Sequence, residues 1–101
     1  MSKNHDAGKG LWITEIGWSS EPPSRSDWFT KGLQGQARES KGAFEVLRRN
    51  QPRWRLRQVD WFSADDSAGA CNFCGGSGLF GDGFRPKPAW FAYVRFALGS
   101  P

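Results

Sequence analysis

Apolar and polar positions along the chain change their spacing several times, and each change marks an element. Leu11 to Ile16, LWITEI, is a short apolar run rich in strand formers and bounded by Gly10 and Gly17, which predicts a parallel strand buried on both faces. Ser19 to Ser26, with Pro22, Pro23 and several serines, reads as a loop at the strand's C-terminal end. From about Asp27 to Asn50 the residues Leu33, Ala37, Phe44 and Leu47 recur at helical spacing, predicting an amphipathic helix that Pro52 stops, with Asn50 as its cap. Arg55 to Phe62, RLRQVDWF, reads as a second strand, Ser63 to Pro86 as a long irregular loop, and about Pro88 to Leu98 as a final helix entered through Pro88.

The order strand, helix, strand, loop, helix describes two successive βα units of an α/β fold. Catalytic residues of such folds collect at the C-terminal ends of the parallel strands. Two clusters stand there: Thr14, Glu15, Gly17 and Trp18 after the first strand, and Asp60, Trp61, Asp65 and Asp66 after the second. Alternation puts Leu11, Ile13 and Glu15 on one face, so a carboxylate ends a row of aliphatic side chains. On spacing alone this acid is as well read as a strand-end carboxylate paired with an arginine.

Composition narrows the choice. A chain of 101 residues with 38% hydrophobic and 15% aromatic residues supports one modest core, and 6 Trp and 8 Phe supply flat faces suited to stacking on sugars or bases. The net charge of +4 is spread along the chain, densest at Arg48, Arg49, Arg53, Arg55 and Arg57. That group lies across a helix end and turn where cations also complement the helix dipole, so no nucleic-acid partner is expected. Met1 to Gly10 has no apolar signal region, no 18-residue apolar span follows, and no membrane partner is expected. Localisation is left open, since an export signal of a longer parent would lie upstream.

Cys71 and Cys74 form a CxxC in a glycine-rich run. With His5 far away a zinc tetrahedron would be half empty, so no metal or other cofactor is expected and the pair reads as a loop disulfide or two free thiols.

The stretches LWITEIGWSS, QARESKGAFEVLRR, VDWFSADD, CNFCGGSGLF and RPKPAWFAYVRF, in this order, resemble the last quarter of clan A glycoside hydrolases of actinobacterial type, from about Gly10 to Leu98. The resemblance implies an α/β fold in which residues 10–99 are a C-terminal fragment of a (β/α)8 TIM barrel, strands seven and eight, behind a disordered tail over 1–9. It implies that Glu15, in the TE-x-GW motif, is the nucleophile of a retaining glycosidase. Trp61, or less readily Phe62, would floor the sugar subsite next to the scissile bond. Trp18, Asp65 and Asp66 sit where substrate-facing loops would be, although Trp18 reads more simply as packing and the two acids as solvated. Lys87 to Trp90, KPAW, would dock the last helix, with Trp90 in the core.

The chain departs from that family in size. A (β/α)8 barrel takes about 250 residues, and the family's acid/base is a Glu preceded by Asn, a pair absent here. The expected partners are therefore a carbohydrate substrate and the missing N-terminal barrel portion, with poor stability and no catalysis by the chain alone. The competing expectation is a small non-catalytic carbohydrate-binding protein using Trp18, Trp28 and Trp61 as platforms. The long helix between the strands disfavours it, because such modules are normally all-β.

Overall fold

The computed structural model describes residues 8–23, 29–66 and 75–99. Within them lie strand β1 (Leu11–Ile16), helix α1 (Gly32–Trp54), strand β2 (Leu56–Trp61), a short 3-10 turn (Asp82–Phe84) and helix α2 (Pro88–Leu98). β1 and β2 pair in parallel, as the strand-helix-strand order predicts, so Glu15 and Trp61 stand at the same end of the sheet.

The sheet packs on α1 through Phe44, Leu47 and Leu56, all buried. Leu11, Ile13, Ile16, Trp54, Val59, Trp61, Tyr93 and Phe96 close around them. Phe44 is the hub: Phe96 of α2 stacks on it at 4.5 Å, and Tyr93 and Trp61 meet it at 6.1 Å. Each such aromatic contact adds about 1 kcal/mol beyond burial, so this cluster ties both helices to the sheet.

Three expectations about the elements change. α1 starts later than about Asp27 because the backbone at Phe29–Lys31 is already bonded elsewhere: Ser19 donates to the Phe29 carbonyl, and Lys31 donates to the Ser19 carbonyl at 2.9 Å. It also runs through Pro52 to Trp54. Proline there removes one helical hydrogen bond, but Trp54 joins the core, and left-handed Arg55 closes the helix by donating to the carbonyls of Gln51 and Pro52. Asn50 is not the cap; its amide donates to Val46 O within the helix.

The third change concerns strand alternation. Between Ile13 and Ile16 β1 advances three residues while its partner advances two, from Val59 to Trp61. An extra residue of this kind breaks the two-residue period. Leu11, Ile13 and Ile16 therefore all reach the core, and Glu15 does not continue the aliphatic row but is exposed.

Residues 63–66 and 75–86, in the stretch expected to be an irregular loop, carry local order. Asp65 bridges Phe80 in parallel, Phe80 bridges Pro86 antiparallel, and Ser77 and Leu79 are buried. Most of the N-terminal tail, Trp28, and the pair Cys71 and Cys74, read as a loop disulfide or two free thiols, lie outside the described residues. No helix among the described residues is long and apolar enough to cross a membrane.

Candidate active site

The C-terminal ends of the strands are held by a buried polar network that binds three loops together. Its centre is Gln36, fully buried on α1, whose amide Nε2 donates to the carbonyls of Trp18 at 2.8 Å and of Gly76 and Gly78 at 3.2 Å. One side chain thereby joins α1, the loop after β1 and the glycine-rich loop. Its own Oε1 has no hydrogen-bond partner.

Ser19, also fully buried, donates to the Gly75 carbonyl at 2.5 Å and accepts from the Glu21 amide at 3.1 Å. Ser63 and Ser77 bond each other at 3.2 Å. Lys87, only 6% exposed, donates from Nζ to Asp66 Oδ1 at 2.6 Å, Ser20 Oγ at 2.9 Å and Gly76 O at 3.0 Å. Asp66 Oδ1 also accepts from the Gly78 amide at 3.0 Å. An ammonium with three acceptors around it is fully used, so burying it is tolerable.

Glycine is required where the loops meet. A Cβ on Gly17 would stand 2.4 Å from the Phe62 carbonyl, and one on Gly78 would stand 2.3 Å from the Asp65 carbonyl carbon. The glycine of the TE-x-GW motif thus allows close approach of the two strand ends, where Phe62 donates to Ile16 O at 3.0 Å.

Against this frame the predicted site residues separate into two sets. Glu15 is exposed at the strand irregularity, on the stretch of sheet that also carries Asp60, whose carboxylate accepts both its contacts from Gln58, at 2.8 and 3.0 Å. Trp61 is half-buried and turned towards α1: its indole N–H donates to Ser77 O at 3.1 Å and its ring lies 6.3 Å from Trp18. Trp18 is half-buried beside it. Phe62 follows Trp61 and stands outside the core cluster, so it is the freer of the two aromatics.

Asp65 is half-buried in the bridge to Phe80, and its carbonyl accepts from Ser63 Oγ at 3.1 Å. Asp66, expected to be solvated, is instead the counter-ion of Lys87. In the KPAW motif Ala89 is fully buried, whereas Trp90, expected in the core, is half-buried outside the core cluster with its ring 4.7 Å from Phe80, because Ala89 rather than Trp90 takes the innermost position of the first turn of α2. Sequence reasoning missed Gln36, whose partners are backbone carbonyls 18 to 42 residues away, and the Lys87–Asp66 pair, whose side chains come from positions 21 residues apart. Among the described residues no group of three or more His, Cys, Asp or Glu could hold a metal ion.

No family model matches the chain, and no curated protein matches it. Among solved structures it is similar to xylanase B from Clostridium stercorarium F9, with a TM-score of 0.63 and 25% sequence identity over 92% of this chain. The match spans 30% of the xylanase chain. The chain thus has a glycosidase-like α/β fold, two parallel strands and two helices, and covers under a third of that glycoside hydrolase.

Proposed function

We propose that the chain supplies strands seven and eight of a (β/α)8 barrel of the retaining glycosidase type, with Glu15 as the nucleophile. The observation that carries this reading is the exposed Glu15 at the C-terminal end of β1, beside a second parallel strand, in a fold similar to part of a xylanase. In the complete barrel Glu15 attacks the anomeric carbon, a carboxylic acid about 5 Å away on the remaining portion protonates the leaving oxygen, and water then releases the glycosyl-enzyme. The substrate is a glycoside. Phe62 is the preferred aromatic floor for the sugar, because Trp61 is committed to Ser77 and Phe44.

The test is a fusion of this chain to the first six βα units of a related barrel, assayed on aryl glycosides. The chain alone should hydrolyse none. The fusion should turn over, and Glu15→Gln should lower turnover by about a thousandfold or more while sugar binding survives. Robust turnover by the chain alone, or a fusion indifferent to Glu15→Gln, removes the assignment.

A further inference from the structure

In the connection from β2 to α2, the turn Asp82–Phe84 holds two successive residues in the left-handed region, Gly83 at φ 67° and Phe84 at φ 58°. Glycine suits that conformation; a bulky aromatic is disfavoured there. The turn is nonetheless fixed. Gly81 donates to the Arg85 carbonyl at 2.8 Å, Phe84 donates to the Gly81 carbonyl at 3.1 Å, and Phe80 bridges Pro86 at its base. Among the described residues the other non-glycine residue held this way is Arg55, where the conformation closes α1. At Phe84 the ring is 74% exposed, so packing within the fold does not offset the strain. Strain retained to present an unpacked ring points to a ligand outside the fold.

The same turn separates two hollows. One, of about 100 Å³, lies between Phe84 and Asp65. The other, of about 790 Å³, has apolar walls from Leu33, Pro86 and Pro88 and polar ones from Glu21, Asp82 and Arg85. Glu15 and Phe62 line neither hollow.

Charge sets the chemical class of the ligand. In the larger hollow Lys87 and Asp66 neutralise each other, which leaves two exposed carboxylates, Glu21 and Asp82, and one exposed guanidinium, Arg85. The two acids repel a phosphate chain and the arginine repels a cation. A neutral polyol suits both, since its hydroxyls accept from the guanidinium and donate to the carboxylates.

We infer that the turn Asp82–Phe84 and its two hollows form a binding surface for a neutral polysaccharide strand, with one sugar stacked on Phe84 and the next in the larger hollow between Asp82 and Arg85. The choice of a sugar over another neutral polyol rests on the function proposed above. The C–H face of a sugar ring suits an aromatic platform, and a few placed polar groups beside that platform fix its orientation.

The test uses the full chain. Native electrophoresis towards the cathode, as the net charge of +4 requires, is run through gels containing neutral arabinoxylan, mixed-linkage β-glucan or galactomannan. The xylan leads because the similar structure is a xylanase. Retardation by at least one polymer is expected, and xylohexaose should shift the amide resonances of residues 81–85 equally at low and high salt, since it carries no charge. Phe84→Gly should weaken binding by about tenfold or more yet raise the melting temperature by about 2–4 °C, because it removes the platform and the strain together. Phe84→Tyr should retain binding, and Asp82→Ala should weaken it by about threefold. No retardation in any gel, retardation that survives Phe84→Gly, or a Phe84→Gly protein that melts below the parent overturns the inference; the last outcome means that the ring serves the fold. Because the readout needs no turnover, retardation without Glu15-dependent hydrolysis by the fusion removes the catalytic reading alone, and a Glu15-dependent fusion without retardation removes this surface alone.

Discussion

Lys87 and Asp66 form an ion pair whose two halves are unequally buried, and that inequality sets an order of stabilities. In Lys87→Met the apolar stem stays and the ammonium goes. The Gly76 carbonyl keeps the amides of Ser20 and Gln36, and Asp66, 28% exposed, keeps the Gly78 amide and meets water. The loss is about that of one hydrogen bond to a charged group, about 2 kcal/mol. Asp66→Ala instead strands an ammonium that is 6% exposed without its counter-ion, which costs about 3–5 kcal/mol. At about 4–8 °C per kcal/mol for a domain of this size, Asp66→Ala should melt about 10 °C below Lys87→Met. Removing both charges should be less damaging than Asp66→Ala alone, since the stranded cation goes with its partner. Urea unfolding followed by tryptophan emission, with calorimetry as a second probe, measures all three variants. An Asp66→Ala no weaker than Lys87→Met, or a double variant weaker than Asp66→Ala, would refute the reasoning.

Three further outcomes are expected. Gln36→Leu deprives the Trp18, Gly76 and Gly78 carbonyls of their shared donor and should cost about 2–4 kcal/mol by urea denaturation. Gly78→Ala drives a methyl into the Asp65–Asp66 backbone and should cost about 3 kcal/mol or more, whereas Gly42→Ala, in open space on α1, should stabilise by about 0.5–1 kcal/mol in the same assay. Phe44→Ala, at the meeting point of both helices and the sheet, should lose about 3–5 kcal/mol and the near-ultraviolet dichroism of the aromatic cluster.

Elements whose pattern is local were legible in the sequence. The apolar run before Gly17, the turn after α1 and Pro88 at the entrance of α2 placed β1, β2 and α2 within a residue of where they lie. What escaped depends on long-range pairing. α1 begins late because Ser19 holds the backbone at Phe29–Lys31, and no propensity at Asp27 encodes that bond. Period-2 alternation misplaced Glu15 because the extra residue between Ile13 and Ile16 is a property of two strands in register, not of either alone. The inward turn of Trp61 was equally hidden, since an aromatic at a strand end looks the same whichever way it turns and its contacts with Phe44 and Ser77 fix the direction. Gln36 had no signal, since its partners are carbonyls 18 to 42 residues away.

The bonds that join Ser63 to Ser77 and Asp66 to Gly78 act as a clasp at the base of the segment between them. A clasped base makes the intervening stretch a replaceable cassette. Its two ends are already side by side, so exchanging the residues between them for a longer insert adds only about 0.6 kcal/mol of closure entropy per doubling of length. Insertions between Asp66 and Gly75 should then leave β1, β2 and α1 undisturbed, and a series of insertion variants between those two residues, followed by urea denaturation, is where that tolerance should be measured first.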